Sequence, residues 1–158
     1  MTSPTADELA RFHRWFAVEC NNGAWALADQ PDRSAADDRL LRAMAHAAMY
    51  HWSFVGTPVN AARGEVTLAH ALAAVGDGAA ALAAAERALA LLEGDASGEA
   101  EDWDVAFVQA ELAHAAAVLG DAARHRLHRA LATAAGEAIA DDEDRAVFLA
   151  ELAKLPVL

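Results

Sequence analysis

Over no useful length does this chain alternate apolar and polar residues, and its strand formers are sparse; apolar residues instead recur every three or four positions. A chain patterned in this way carries one apolar stripe per helix and has nothing to build a sheet from. Its helices must bury their stripes on one another, so the expected fold class is all-α. Alanine, leucine, glutamate and arginine dominate and favour helix on their own account. Glycine and proline fall where the helical register breaks.

Those breaks predict about seven helices. The first covers about Ala6–Ala28, led in by Pro4 and Thr5 and ended by Gln30, Pro31 and Asp32. A second, about Ser34–Phe54, stops at Gly56. Thr57 is a good N-cap for the third, because its hydroxyl can accept from an unpaired amide, and Pro58 fills the first helical position, where no amide is needed. The third runs to Val75; Gly76-Asp77-Gly78 turns tightly into the fourth, which ends at Glu93. Gly94–Glu101, reading GDASGEAE, is small, polar and acidic, and is expected to be an exposed, mobile loop. Asp102 is the expected cap of a fifth helix from about Trp103 to Leu119. Gly120-Asp121 leads into a sixth, to about Ala135, and Asp141 and Asp142 start a seventh that ends before Pro156. The short turns imply antiparallel hairpins of the third helix with the fourth and the fifth with the sixth.

A length of 158 residues suits one domain, here 1–158, and can bury a full core without disulfide or metal staples. Hydrophobic residues at 56% argue against disorder. The single cysteine, Cys20, forms no internal disulfide, and the first residues lack a signal pattern, so the cytoplasm is the expected compartment. The longest apolar run, Val66–Ala85, is mostly alanine and is interrupted by His70 and Gly76-Asp77-Gly78, too weak a stretch to span a membrane. A formal charge of -12 repels nucleic acid and anionic lipid, and the short basic cluster Arg124, His125, Arg126, His128 and Arg129 does not reverse this. Neither nucleic acid nor membrane is an expected partner.

From Leu68 to Leu92 the chain reads LAHALAAVGDGAAALAAAERALALL. Leu68, Ala69 and Leu72 fall in a first helix, Gly76-Asp77 in a turn, and Ala81, Ala88 and Leu89 in a second helix. In these positions the segment resembles a tetratricopeptide repeat. Glu111–Leu131, ELAHAAAVLGDAARHRLHRAL, is similar to a degenerate second copy whose second helix is shifted by about two residues. The bulky repeat positions are largely alanine, and the proline that usually follows a repeat is absent. The resemblance implies stacked antiparallel hairpins that bind proteins or peptides, or, in some related folds, small molecules. Alanine at helical spacing lets helices approach closely, with Ala81, Ala85 and Ala88 against Ala69, Leu72 and Ala73. A plain helical bundle uses the same turns and stays open as the alternative.

Candidate site residues are polar groups that interrupt apolar stripes. In the first helix, positions 12, 15, 19 and 22 share a face, so Glu19 and Asn22 lie in one stripe with Phe12 and Trp15. Asn21, Asn22 and Gly23 also read as a kink or an earlier helix end. In the second, His46 and Tyr50 share a face with Ala43 and Phe54. His51 lies about 140° round from His46, so the two histidines cannot chelate one ion unaided. In the third, Arg63, Thr67 and His70 share a face that suits an anion or, as the favoured reading, a solvated surface. In the fifth, Phe107, Glu111, His114 and Val118 share a face. Glu111-x-x-His114 has the spacing used by carboxylate-bridged di-iron bundles, but no second copy follows. Asp102 and Asp104 read as cap and dipole residues. His125-x-x-His128 reads as a surface pair, because adjacent arginines oppose a cation, and Cys20 as an ordinary buried small residue.

No nucleophile elbow, phosphate loop, dinucleotide fingerprint or Cys-x-x-Cys occurs in the sequence. No catalytic residue is assigned, and the residues leave open whether the chain is an enzyme. The favoured expectation is a helical-repeat interaction module with a protein partner or self-association. The alternative is a small-molecule- or metal-binding protein with a polar pocket between the first, second and fifth helices. That pocket would draw on Glu19, Asn22, His46, His51, Arg63, Glu111 and His114. No cofactor is expected; a metal ion belongs to the alternative.

Overall fold

A computed structural model describes residues 3–158. Among the described residues there are seven α-helices and no strand: α1 (Ala6–Ala28), α2 (Ala35–Val55), α3 (Pro58–Ala74), α4 (Gly78–Glu93), α5 (Asp102–Leu119), α6 (Ala122–Glu137) and α7 (Asp142–Lys154). None of them is long and apolar enough to cross a membrane.

Side chains start the first three helices. Thr5, Ser34 and Thr57 each accept from the amide three residues on, and Glu8, Asp37 and Asn60 reach back to the cap. Asp102 does not cap α5 as the sequence suggested. It is the first helical residue; Asp104 Oδ2 accepts from the Glu101 amide at 2.9 Å, and Asp102 Oδ2 accepts from the Ala140 amide at 2.8 Å, tying the α6–α7 connection to α5. Nor does α1 break at Asn21-Asn22-Gly23, since it continues to Ala28.

The two Gly-Asp pairs build the same turn twice. Gly76 (φ 80°) and Gly120 (φ 73°) take the left-handed conformation that closes α3 and α5, and only glycine adopts it at no steric cost. The next residue then caps the following helix: Asp77 Oδ1 accepts from the Ala80 amide and Asp121 Oδ1 from the Arg124 amide. Helices joined this tightly fold back on each other, giving the hairpins α3–α4 and α5–α6, with α1–α2 as a third.

The hairpins stack in sequence. Each second helix packs on the next first helix, α2 on α3 and α4 on α5, while α3 touches both α1 and α5. The interior is close-packed alanine: Ala69, Ala73, Ala81, Ala84, Ala85 and Ala88 are buried in one cluster with Leu41, Leu72 and Leu112. A second cluster, Phe148, Leu152 and Leu155 on Ala106, Ala110 and Ala132, seats α7 against α5 and α6.

The α4–α5 connection is exposed over most of its length, and its own Asp95–Ser97 bonds are its local order. It lacks apolar anchors, so limited proteolysis with a glutamate-specific protease should cut first at Glu99 or Glu101. First cuts inside α3 or α4 would contradict this.

Candidate functional site

The site follows from the position of α3. This helix touches α1, α2, α4 and α5, and every residue from Gly64 to Ala73 is buried. A polar side chain there must find its partner inside the fold. The solvated surface expected for Arg63, Thr67 and His70 is therefore corrected: Thr67 and His70 are buried and Arg63 is half-buried. All three reach across to α1 or α5.

Arg63 meets Asp104 of α5 through two parallel bonds, Nε to Oδ1 and Nη2 to Oδ2, both 2.8 Å. Its guanidinium also lies 4.2 Å from the centre of the Trp103 ring. The hydrogen bonds to Asp104 raise the Arg63 pKa against the opposing effect of burial. Thr67 joins α3 to α1: its hydroxyl accepts from Trp25 Nε1 at 3.0 Å and donates to Asn21 Oδ1 at 2.5 Å. Glu65, on the opposite side, takes two bonds from Arg87 of α4, at 2.8 and 2.7 Å.

His70 and His114 share the Glu111 carboxylate. His70 Nδ1 lies 2.9 Å from Oε1, and His114 Nδ1 lies 3.1 Å from Oε2. An ionised carboxylate only accepts, so both Nδ1 atoms carry protons. Burial would push the Glu111 carboxyl up, but the charge of His70 and the two imidazole donors overcome it and hold the pKa down at about 2. Burial lowers His70 in turn, and the facing carboxylate raises it above its ordinary value. Trp25 closes this group from α1, stacked on His70 at 4.0 Å between ring centres, with Phe107 edge-on to it at 5.9 Å.

Beside these ties lies a cavity of about 320 Å³ between α1, α3 and α5, lined also by Val147 and Glu151 of α7 and Leu92 of α4. Trp25, Trp103 and Phe107 form aromatic walls, and Val66 and Val108 give apolar surface; Asn21, Arg63, Thr67, Asp104 and Glu151 are the polar contribution. Trp25, Phe107 and Glu151 also border a void of about 10 Å³ that reaches His70 and Glu111.

The residues singled out from sequence scatter. Arg63 lines the cavity, and Glu111 and His114 form the buried pair beside it. Glu19, Asn22 and His46 are exposed. The stripe that carries Glu19 is an outer one, since Phe12 and Trp15 are more than half exposed while α1 buries Ala17, Ala24 and Leu27. His51 sits 2.9 Å from His13, Nδ1 to Nδ1, among the exposed rings of Phe16, Tyr50 and Phe54. Thus α3, not α2, stands between α1 and α5 at this cavity. His125 is not a surface residue: it is buried and its Nδ1 bonds the Ala113 carbonyl at 3.0 Å, while half-buried His128 bonds Gln109 at 2.7 Å. Sequence reasoning favoured a solvated surface for His70 and a kink for Asn21, and it did not single out Trp25 as part of a site. The signal for His70 was the near-absence of charge along α3, which marks a helix buried all round.

No protein-family model, no curated protein and no solved structure matches this chain.

Proposed function

We propose that this chain is a helical-repeat binding module, tetratricopeptide-like in architecture, that holds a small ring-bearing and largely apolar molecule between α1, α3 and α5. The observation that carries the reading is the cavity of about 320 Å³ walled by Trp25, Trp103 and Phe107. That size and lining fit a small-molecule site. The polar groups of the cavity already have partners, Arg63 in Asp104, Thr67 in Trp25 and Asn21, and Glu151 in Lys154, so an apolar guest leaves each with a bond.

The repeat character rests on the stacked hairpins and on their cross-links. Arg63–Asp104 and His70–Glu111 each join residues 41 apart, and Trp25–Thr67 residues 42 apart. This offset is longer than the roughly 34 residues of a tetratricopeptide repeat, so the likeness is one of architecture. Stacked repeats present the binding surface on one layer of helices.

Titration with the neutral fluorescent probe N-phenyl-1-naphthylamine tests the reading. The expected result is saturable binding at one site, weakened about tenfold or more by Val66→Phe, which fills the cavity. Equal binding by the variant contradicts it.

A protein partner is the second reading, favoured by the aromatic face of α1 and α2. There Trp15 contacts Phe16, Phe16 contacts His51, and Tyr50 contacts Phe54, and all but His51 are exposed. Contiguous exposed rings of this kind mark association surfaces. Concentration-dependent association in sedimentation, lost in Trp15→Ser, would favour it.

A further inference from the structure

Three metal-ligating side chains meet in the core outside the cavity. His70 comes from the middle of α3, and Glu111 and His114, one turn apart, from the middle of α5. One ligand atom from each lies within 4.8 Å of the others, and all three residues are buried. We propose that His70, Glu111 and His114 bind one divalent first-row transition-metal ion, with zinc as the representative. The proposal is independent of what occupies the cavity.

The donor set is two imidazole nitrogens and one carboxylate, which suits zinc or ferrous iron and not the all-oxygen preference of calcium or magnesium. Two donors on one tetrahedral zinc ion lie no more than about 3.5 Å apart. The present separations of 2.9 and 3.1 Å from nitrogen to carboxylate oxygen already meet that limit. A side-chain adjustment of about 1.5 Å or less brings the third pair inside it. Coordination through Nδ1 requires each imidazole to be neutral with its proton on Nε2, and any extra proton leaves to solvent.

Placement favours an ion further. All three donors stand on packed helices, and the stacked Trp25 ring fixes the plane of His70. The void of about 10 Å³ bordered by His70, Glu111, Phe107 and Phe148 has room for about one water beside two of the three donors. An apolar trio of similar volume would serve stability as well or better in this alanine-rich core, so a buried carboxylate with two imidazoles is an expensive way to join two helices.

The test uses the full chain, without a histidine tag and stripped by chelator. Cobalt(II) titration should give visible d–d absorption that saturates at one equivalent, and zinc should displace the cobalt. Zinc in hundredfold excess over its dissociation constant should raise the melting midpoint by about 5–10 °C. Glu111→Gln and His114→Gln should each lose most of the affinity, and His46→Ala, an exposed histidine elsewhere, should lose none. Absence of both absorption and thermal shift at millimolar cobalt overturns the proposal, as does binding that survives both variants. Should the variants not fold, the cobalt-shifted histidine ring resonances of the native chain decide. Shifted rings of His70 and His114 support the site, and shifted rings of His125 and His128 overturn it.

Discussion

Arg63→Met should lower the unfolding free energy by about 3 kcal/mol, the lower end of the range for breaking a buried ion pair. The cost arises on the other side of the pair. Asp104 has 2% of its side chain exposed and Arg63 has 32%, so the arginine keeps contact with water while the carboxylate depends on it. With methionine at 63, Asp104 retains the Glu101 amide as a donor and loses two charge-assisted bonds. The stacking of the guanidinium on Trp103 goes too, which loosens one wall of the cavity. The check is urea denaturation of Arg63→Met, Asp104→Asn and the double variant, with the slope unchanged. The double variant should cost clearly less than the sum of the two singles. Additive costs, or a loss of under about 1 kcal/mol for Arg63→Met, would show that the pair does not hold α3 to α5.

Glu111→Gln, measured with chelator present, should cost about 3 kcal/mol near pH 5.5 and less on either side. Glutamine keeps the shape and loses the charge. The folded pKa of Glu111, about 2, lies below its unfolded value of about 4.3. Its contribution is therefore complete above the unfolded value and disappears as pH falls through the folded one. His70 behaves in the opposite sense. Its folded pKa is raised above the unfolded value of about 6.5, so its contribution is complete below that pH and is lost as pH rises through the raised value. The two windows overlap between about pH 4.5 and 6.5, and there the variant should suffer most. Chemical denaturation of both proteins across pH 3–8 gives the difference directly. A difference that does not vary with pH would contradict a charged Glu111–His70 pair.

What the sequence made legible was local. Thr57-Pro58, Gly76-Asp77 and Gly120-Asp121 act through bonds within a few residues of themselves, so helix starts, turns and two hairpins could be read directly. The site could not be read this way. Its ties between helices α1, α3 and α5 join residues 41 to 46 apart, and periodicity within one helix carries no information about which partner faces it. The Glu111–His114 spacing was visible as half a motif, while its third member came from a helix whose polar face looked like surface. Aromatic size also misled in α1. In a core packed with alanine, the buried stripe is the small one, Ala17 and Ala24, and Phe12 and Trp15 stand outside. The stripe carrying Glu19 and Asn22 was read as inward for that reason.

A crystallographic fragment screen on the full chain tests the proposed binding role most directly. The predicted result is density for flat, ring-bearing fragments between Trp25, Trp103 and Phe107, beside the Arg63–Asp104 pair. Fragments that leave this cavity empty and collect on the exposed rings of Trp15, Phe16, Tyr50 and Phe54 would contradict it.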